Sequence, residues 1–534
     1  MDLIWTNLRV PVEEEESFLL ARVARKLKVP PQSISGLRIV RRSVDARKKP
    51  QLFFSYTLGF SLESPLKEIE RILSRNKDIK AEPVEEKVLL LKPARKLAHR
   101  PIVVGAGPAG YFAALALARK GYAPIVLERG DDVVERTRKV DEFWKSGNLD
   151  TESNVQFGEG GAGTFSDGKL TTRISDRRIT DVLQAFVNQG APAEIRFLAK
   201  PHIGTDILKT VVQGLRQEIT ALGGEVRFRT KLTGLQISNG KLTGVRVNEN
   251  EIVPAETVIL AIGHSARDTY EMLLEHEIRI EQKAFAIGVR VEHPQELINR
   301  SQYGVEEHPK LGPADYQLTY QDLPTGRGAY AFCMCPGGKV VAAASEEERL
   351  VTNGMSEYKR DTGIANSALV VTVGQNDFGS DHPLAGIEFQ RHWEHQAFIS
   401  GGRNYHAPAQ SVRDFLANQI SDSFSLKPSY IPGVTAVDLH CVLPQPVSEV
   451  LERALVSFDH KIKGFAGEMA VLIGVETRTS APIRITRDEN GEALGVKGLF
   501  PAGEGAGYAG GIVSAAVDGL RSAERLMAQY APTS

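Results

Sequence analysis

The sequence predicts an α/β fold, and three observations support that prediction. Residues 101–130 contain a buried strand, a glycine-rich turn, an apolar helix and a second buried strand, in that order. Apolar runs that end in glycine recur at 256–263 and 498–503, as strands returning to the same sheet would. Residues 280–444 instead show short β-like runs broken by Gly, Pro and Asn. The chain therefore combines a nucleotide-binding type of sheet with an inserted second domain.

The turn after the first strand predicts a dinucleotide site. Gly105, Gly107 and Gly110 stand at G-x-G-x-x-G spacing. Gly105 allows the tight turn, Gly107 lets a pyrophosphate approach the backbone, and Gly110 lets helix and strand pack closely. The helix that follows offers unpaired N–H groups and its positive dipole end. Glu128 ends the second strand, where a carboxylate accepts hydrogen bonds from ribose hydroxyls, so this Rossmann-type unit suits FAD or NAD better than NADP.

Composition sets limits on the function. A chain of 534 residues suggests about three domains. Its formal net charge of −1 gives no overall attraction to nucleic acid or anionic membranes. Three cysteines do not suggest a disulfide framework. The N-terminus lacks targeting features, and no run of about 18 apolar residues occurs. We therefore expect a soluble cytoplasmic protein without a transmembrane helix.

Four segments are expected along the chain. They are an N-terminal α+β accessory domain (1–98), the first part of the Rossmann-type domain (99–280), an inserted substrate domain (281–444) and a C-terminal return (445–534). The first segment reads as β-α-β-β-α-β, the order of a ferredoxin-like sandwich. Its predicted strands are 3–10, 39–40, 52–58 and 87–91, and its predicted helices are 14–27 and 65–74.

A basic stretch, RRSVDARKKP at 41–50, lies between the middle strands of this first segment. It could contact nucleic acid or another acidic partner. It could equally be a solvated hairpin turn, which we favour because aromatic residues do not alternate with the basic ones. The basic segment 92–100 is the expected linker to the next domain.

A second glycine-rich segment, with Gly158, Gly160 and Gly163 at the same spacing, follows no buried strand. It is therefore not a second Rossmann turn. We expect a loop that lays backbone N–H groups against the same cofactor, with Lys169 as a neighbouring cation. The alternative is a flexible surface loop.

The end of the chain also returns to the cofactor. Gly503 and Glu504 end an apolar run, and a third G-x-G-x-x-G match leads into a helix over 512–529. No strand with a terminal acid follows, so a second nucleotide is not expected here. Glu504 would instead meet the ribityl and phosphate region, and the helix N-terminus would face a flavin ring. Gly263, at the end of another strand, suits close approach to the adenosine half.

These two halves, GAGPAG…VLERG and GLFPAGEGAGYAGGIVSAAVDGLRSA, resemble the FAD-dependent oxidoreductases of the two-dinucleotide-binding-domain class. More narrowly, GEGGAGTFSDGKL, FCMCPGG, VTNGMS, ANSALVV and VETRTSAPIRI resemble the uncharacterised FAD-dependent dehydrogenases of bacteria and plastids, over nearly the whole chain. The resemblance implies bound FAD in a Rossmann-type FAD-binding domain, an inserted mixed β/α substrate domain and a small N-terminal α+β (ferredoxin-like) domain. It implies no particular substrate.

The resemblance also implies a set of cofactor-binding residues. With Lys169 and Gly503 from the patterns above, the full set is Gly105, Gly107, Pro108, Ala109 and Gly110 at the pyrophosphate; Glu128 and Arg129 at the adenosine ribose; Gly160, Gly161, Gly163 and Thr164 on the ribityl side; Leu232 and Gly263 near the adenine; and Glu504, Gly510, Gly511 and Ile512 at the ribityl and ring end. No residue is assigned to a metal.

The predicted function is an FAD-dependent oxidoreductase that passes hydride between a small-molecule substrate and flavin N5. NAD(P)H, if it serves as electron donor, would bind without its own βαβ domain, since neither of the other glycine matches qualifies. The alternative is an FAD-bound module whose main role is RNA or protein-partner binding through the N-terminal domain.

No catalytic residue is assigned firmly. Cys333 and Cys335 could form a redox-active dithiol, but we favour small residues beside a Pro-Gly-Gly turn. Arg360, with Asn353 and Asn366, could bind a polar substrate group, and Arg478 could hold a carboxylate. His264 could act as a base, although a loop histidine near a nucleotide is more often a hydrogen-bonding partner.

Overall fold

A computed structural model describes residues 1–83, 93, 95–248 and 250–533 and confirms the predicted fold class. The N-terminal elements are β1 (Asp2–Pro11), α1 (Leu19–Leu27), β2 (Ile34–Lys48), β3 (Gln51–Leu62), α2 (Leu66–Arg75) and β4 (Ile79–Ala81). They form an antiparallel sheet in the order β2-β3-β1-β4, as the β-α-β-β-α-β pattern predicts. Its fourth strand is β4, and the predicted strand 87–91 lies outside the described residues.

The basic stretch 41–50 is a strand rather than the expected turn. Most of it belongs to β2, which pairs with β3 along its length, and only Lys49 and Pro50 connect the two strands. Every second residue of β3 from Leu52 to Leu58 is buried, so β3 is a well-anchored pairing partner that the charged sequence of β2 does not reveal. The helix expected from residue 14 begins as an α-helix only at Leu19, after a 3-10 turn.

A parallel sheet forms the centre of the next region. The elements are β5 (Arg95–Lys96), β6 (Ile102–Val104), α3 (Pro108–Ala118), β7 (Ile125–Leu127), α4 (Val133–Ser146), α5 (Arg178–Asn188), α6 (Thr205–Ala221), β8 (Glu225–Arg227), β9 (Leu232–Ser238), β10 (Lys241–Val247), β11 (Glu251–Pro254), β12 (Val258–Leu260) and α7 (Arg267–Glu275). Strands β6, β7, β8 and β12 belong to one parallel sheet, while β9, β10 and β11 form a separate antiparallel meander.

A seven-stranded sheet dominates the third region. The elements are β13 (Ile280–Gln282), β14 (Phe285–Pro294), α8 (Gln295–Tyr303), β15 (Thr319–Gln321), β16 (Gly328–Cys335), β17 (Lys339–Ala342), β18 (Thr352–Met355), β19 (Ile364–Val373), α9 (Ala385–Ser400), β20 (Ala407–Ser411), α10 (Val412–Leu416), β21 (Val434–Ala436), α11 (Gln445–Lys461) and β22 (Val471–Glu476). The sheet runs β15-β16-β19-β14-β22-β20-β21. Because β22 pairs with β14, the chain has not left this region at residue 445, where the return was expected.

The return comes later, through β23 (Ile483–Ile485), β24 (Leu499–Pro501), α12 (Ile512–Gln529) and β25 (Tyr530–Ala531). Strand β24 pairs with β12 and completes the parallel order β24-β12-β6-β7-β8. Helix α12 then crosses α3 so closely that a Cβ atom at Gly519 would lie 2.0 Å from the carbonyl oxygen of Ala109. Among the described residues, no helix is both long and apolar enough to cross a membrane.

Substitution of Gly519 by alanine should therefore destabilise the fold. The added methyl group meets backbone, which cannot move aside cheaply, so we expect the free energy of unfolding to fall by about 1–3 kcal/mol. Gly312→Ala is the control, because a Cβ atom there meets nothing within 4 Å. Urea unfolding of both variants measures the difference, and equal midpoints would contradict this packing.

Candidate functional site

The first two glycine-rich segments pack directly against each other. The N–H of Gly160 donates to the carbonyl of Ala106 at 2.9 Å. A Cβ atom at Gly161 would lie 3.1 Å from Cα of Gly107. Gly160 and Gly161 both have positive φ, which favours glycine. The second loop, which follows no strand, therefore lies beside the Rossmann turn, and both loops line one cleft.

Glu128 joins these loops from the end of β7. Its carboxylate accepts hydrogen bonds from the backbone N–H groups of Ala106, Gly130 and Gly158, at 2.8, 2.9 and 2.9 Å. The side chain is buried. Since a carboxylate has about four acceptor positions, one remains for a ribose hydroxyl.

Two helix N-termini open into the same cleft without a capping side chain. Gly107 precedes α3, and Pro108 at its first position has no N–H, while Gly511 precedes α12. A Cβ atom at Gly163 would lie 3.1 Å from the side chain of Ile512, so the second loop touches both helix starts. Uncapped N–H groups and open backbone at both helix starts suit a ligand that carries negative charge.

The residues expected near the adenosine are more engaged within the protein than the sequence indicates. Arg129 donates to Glu152 and Asp268 and lies over the ring of Phe157, so its guanidinium is already paired. The side chain of Leu232 is buried with the sheet, which leaves only its backbone for an adenine. Gly263 has positive φ, and a Cβ atom there would meet nothing within 4 Å, as close approach of a ligand requires.

Glu504 lies near Gly263, since the hydroxyl of Tyr270 donates to the carbonyls of both Gly263 and Gly505, at 3.0 and 2.8 Å. Glu504 follows Gly503, whose N–H donates to Asp518 at 2.7 Å. Burial raises the pKa of Glu504 from 4.5 to about 7, against the opposing charge of Lys283. The Glu504 side chain nevertheless keeps partial solvent access. Beyond it, Gly510 and Gly511 are exposed and leave room around the start of α12.

The end of the second loop carries Lys169. Its ammonium lies 4.0 Å from Asp167, beyond hydrogen-bond distance. Arg360 donates to both oxygens of Asp167, at 2.9 and 2.5 Å, so this arginine positions the loop rather than a substrate. Thr164 is buried and its hydroxyl donates to the carbonyl of Glu159, so it supports the loop from within.

Arg478 does hold a carboxylate, but one from this chain. It donates to both oxygens of Glu394, and Arg267 donates to the same carboxylate from the other side. All three side chains are buried. Burial and the two arginines lower the pKa of the neighbouring His264 to about 3, so this histidine is neutral and a weak base.

The two cysteines lie on β16. Cys333 is exposed, in the left-handed backbone region, and Cys335 is buried. Burial raises the pKa of the Cys335 thiol. A thiol with a raised pKa is a poor nucleophile, so the arrangement favours packing over redox chemistry. Asn353 and Asn366 are likewise engaged, because both accept hydrogen bonds from the buried Arg290.

Sequence reasoning missed Arg136, which shapes the second loop. This fully buried side chain donates to the carbonyls of Asn154, Val155 and Glu159, at 2.8, 2.9 and 2.6 Å. A Cβ atom at Gly158 would lie 2.5 Å from its Cδ. Burial lowers the pKa of Arg136 to about 10. In the sequence it is one of several charged residues in a helix, and no local signal separates it from a surface arginine.

Comparison with known families agrees with this geometry. Residues 99–283 match the pyridine nucleotide-disulphide oxidoreductase model, residues 284–479 match the FAD-dependent protein C-terminal domain-like model, and residues 3–61 match a domain of unknown function. An uncharacterized protein of Clostridium beijerinckii is 52% identical over 528 residues, which cover 98% of each chain. The chain belongs to the FAD-dependent oxidoreductase family. It binds FAD, and the uncapped helices, paired glycine loops and two carboxylates fit that cofactor.

Two further comparisons match either a smaller part of the chain or most of the chain at low sequence identity. Digeranylgeranylglycerophospholipid reductase of Haloferax volcanii is 32% identical over 165 residues, 31% of this chain and 35% of that protein. The crystal structure of a geranylgeranyl bacteriochlorophyll reductase-like protein from Thermoplasma acidophilum is 15% identical, with a TM-score of 0.34. It covers 81% of this chain and 78% of that one. At that score the second similarity carries no functional weight.

The raised pKa of Glu504 predicts a pH-dependent stability of the FAD-free protein. Between about 4.5 and 7 the folded state binds more protons here than the unfolded state, so stability falls as pH rises. Relative to Glu504→Gln, which stays neutral, the wild-type protein should lose stability from pH 5 to pH 7.5. Urea unfolding at both pH values measures this difference. A difference that does not vary with pH would contradict the raised pKa.

Proposed function

We propose that this oxidoreductase transfers hydride between a small-molecule substrate and flavin N5. The observation that supports this most directly is the convergence of three glycine-rich segments and two uncapped helix N-termini on one cleft. Bound FAD supplies the two-electron chemistry there. The chain supplies binding, orientation and electrostatics.

The cofactor-binding residues are assigned by their places along the cleft. The first turn, with Gly107 and the start of α3, receives the pyrophosphate. The remaining acceptor position of Glu128 takes a ribose hydroxyl, and Glu504 takes hydroxyls of the ribityl chain. The N-terminus of α12 faces the flavin ring, where its positive dipole end stabilises negative charge.

The substrate side of the cleft is assigned to Lys169 and the edge of β16. The ammonium of Lys169 has no hydrogen-bonding carboxylate at contact distance among the described residues, and it lowers the raised pKa of the Cys335 thiol. We assign to Lys169 the stabilisation of negative charge on the substrate or on the flavin ring. Cys335, whose pKa burial raises, contributes shape rather than a covalent bond.

NAD(P)H, if it is the electron donor, binds without a nucleotide domain of its own. Within the described ranges, one sheet has the parallel five-stranded Rossmann order, and its glycine turn belongs to FAD.

The inserted domain is assigned to residues 281 to about 479, in place of the expected end at 444, because β22 lies in the seven-stranded sheet. The accessory domain is assigned to residues 1–83, because β5 at Arg95–Lys96 already pairs with β25 at the end of the chain. The free thiols of the three cysteines suit a cytoplasmic location.

Anaerobic reduction of the purified holoprotein tests this proposal. NADH, NADPH and a panel of small metabolites are each added, and flavin absorbance near 450 nm is followed. We expect one of them to reduce the flavin, so that this absorbance falls, at a rate fast enough for catalytic turnover. A flavin that none of these donors reduces, while dithionite does reduce it, would count against the proposed reaction.

The same assay tests Lys169. Lys169→Met should slow flavin reduction by about tenfold or more, because a charge beside the reacting groups is lost, while FAD stays bound. Lys145→Met, at an exposed position on α4, is the control and should keep the wild-type rate. Equal rates in all three proteins would remove Lys169 from the substrate side.

A further inference from the structure

The basic stretch of β2 meets the FAD-binding half of the chain at Arg42. The backbone N–H of Arg42 donates to the carbonyl of Phe197 at 2.7 Å, and the N–H of Ala199 donates to the carbonyl of Arg42 at 2.9 Å. Strand β2 is the edge of the N-terminal sheet. Residues 197–199 therefore extend that sheet by one short parallel bridge, although they belong to the next region of the chain.

The side chain of Arg42 strengthens this junction. Its guanidinium donates to Glu16 at 2.7 Å. It also lies over two rings, 5.2 Å from the centroid of Phe54 and 5.4 Å from that of Phe197. One ring comes from each side of the junction, so the guanidinium bridges them by cation–π contacts.

The same segment reaches the cofactor loop at its other end. The N–H of Leu170 donates to the carbonyl of Pro201 at 2.9 Å, and the N–H of Ile203 donates to the carbonyl of Gly168 at 3.1 Å. Lys169 pairs with His202 between these two bonds. Residues 197–203 therefore bond to the N-terminal domain at one end and to Gly168 and Leu170, on either side of Lys169, at the other.

Other basic residues of the stretch are also used within the chain. Arg47 donates to both oxygens of Asp45, at 2.8 and 2.7 Å, and the ammonium of Lys49 donates to the carbonyl of Ser301. Lys310 donates to the carbonyl of Glu13 at 2.9 Å, from the inserted domain. Lys49 and Lys310 thus join the N-terminal domain to the inserted domain, while Arg47 pairs within the stretch.

We propose that Arg42 is a positioning residue through which the N-terminal domain sets the loop that carries Lys169 in the FAD cleft. Seven residues of chain, 197–203, transmit the position, because both of their ends are fixed by backbone hydrogen bonds. The accessory domain is therefore part of the working site and not a separate binding module. The effect on the flavin rests on the proposed function of Lys169, whereas the link between the two ends does not.

Hydrogen exchange of the holoprotein tests the link. In Arg42→Ala, we expect the amides of 197–203 and of 168–170 to exchange about tenfold faster, because two ring contacts and an ion pair are lost. Arg41→Ala is the matched control, because Arg41 precedes Arg42 on the same strand and its side chain is exposed. Arg42→Lys keeps the positive charge that pairs with Glu16 but loses the flat guanidinium that stacks on the rings. Its amide exchange rates should lie between those of Arg42→Ala and Arg41→Ala.

Visible circular dichroism of the bound FAD provides the second readout. We expect Arg42→Ala to change it, Arg41→Ala to leave it unchanged, and Arg42→Lys to restore it in part. If Arg42→Ala does not yield folded holoprotein, Phe197→Leu compared with Phe197→Tyr tests the same junction, because the tyrosine keeps the ring.

Two results would overturn the proposal. One is faster exchange at 197–199 with unchanged exchange at 168–170. The other is equally faster exchange throughout β6 and α12, which would mean general destabilisation. Faster exchange at both ends of the segment, with FAD signals that neither Arg42→Ala nor Lys169→Met alters, would instead support the link and contradict the proposed role of Lys169.

Discussion

Three backbone N–H groups from three segments converge on the carboxylate of Glu128. They belong to Ala106 in the first glycine turn, Gly130 after β7 and Gly158 in the second loop. A buried carboxylate needs such donors, and the donors in turn fix the three backbones relative to each other. This contact keeps Gly107 and Gly161 next to each other. The open start of α3 and the path of the second loop depend on it as well.

The charges around the cleft divide into two groups. Arg129, Arg360 and Arg478 are each satisfied by carboxylates of the chain, as buried charges must be. These arginines therefore stabilise the protein around the cleft. Lys169 and Glu504 keep partial solvent access, and neither is held by a close ion pair among the described residues. Both side chains are therefore available to a bound molecule, which is why the proposed chemistry centres on them.

Much of the cofactor half follows from local sequence. The turn at Gly105–Gly110, the acid at Glu128 and the helix from Ile512 each have a signal within a few residues, because backbone geometry demands it. The partners of Arg478 and Arg360 could not be read in this way. Glu394 and Asp167 lie far away along the chain, and their pairing is set by tertiary packing.

The same difference explains the other corrections. Residues 41–50 look like a turn because their charges hide the alternation that β3 imposes by pairing. The return to the parallel sheet was expected too early because β22 and β24 are both short apolar runs, and only pairing tells which sheet each one joins. Arg42 and Arg136 gave no local signal, since each acts through backbone carbonyls or rings that folding brings to it.

The central claim is that paired glycine loops build one FAD site per chain. The most direct measurement is the amount of FAD released from purified, desalted protein on denaturation, relative to protein concentration. One FAD per chain is expected for the wild type and for Gly190→Ala, a positive-φ glycine in open space. Gly161→Ala, which drives a Cβ atom against Gly107, should lose most of its FAD. Full occupancy of Gly161→Ala, or two FAD per wild-type chain, would contradict the claim.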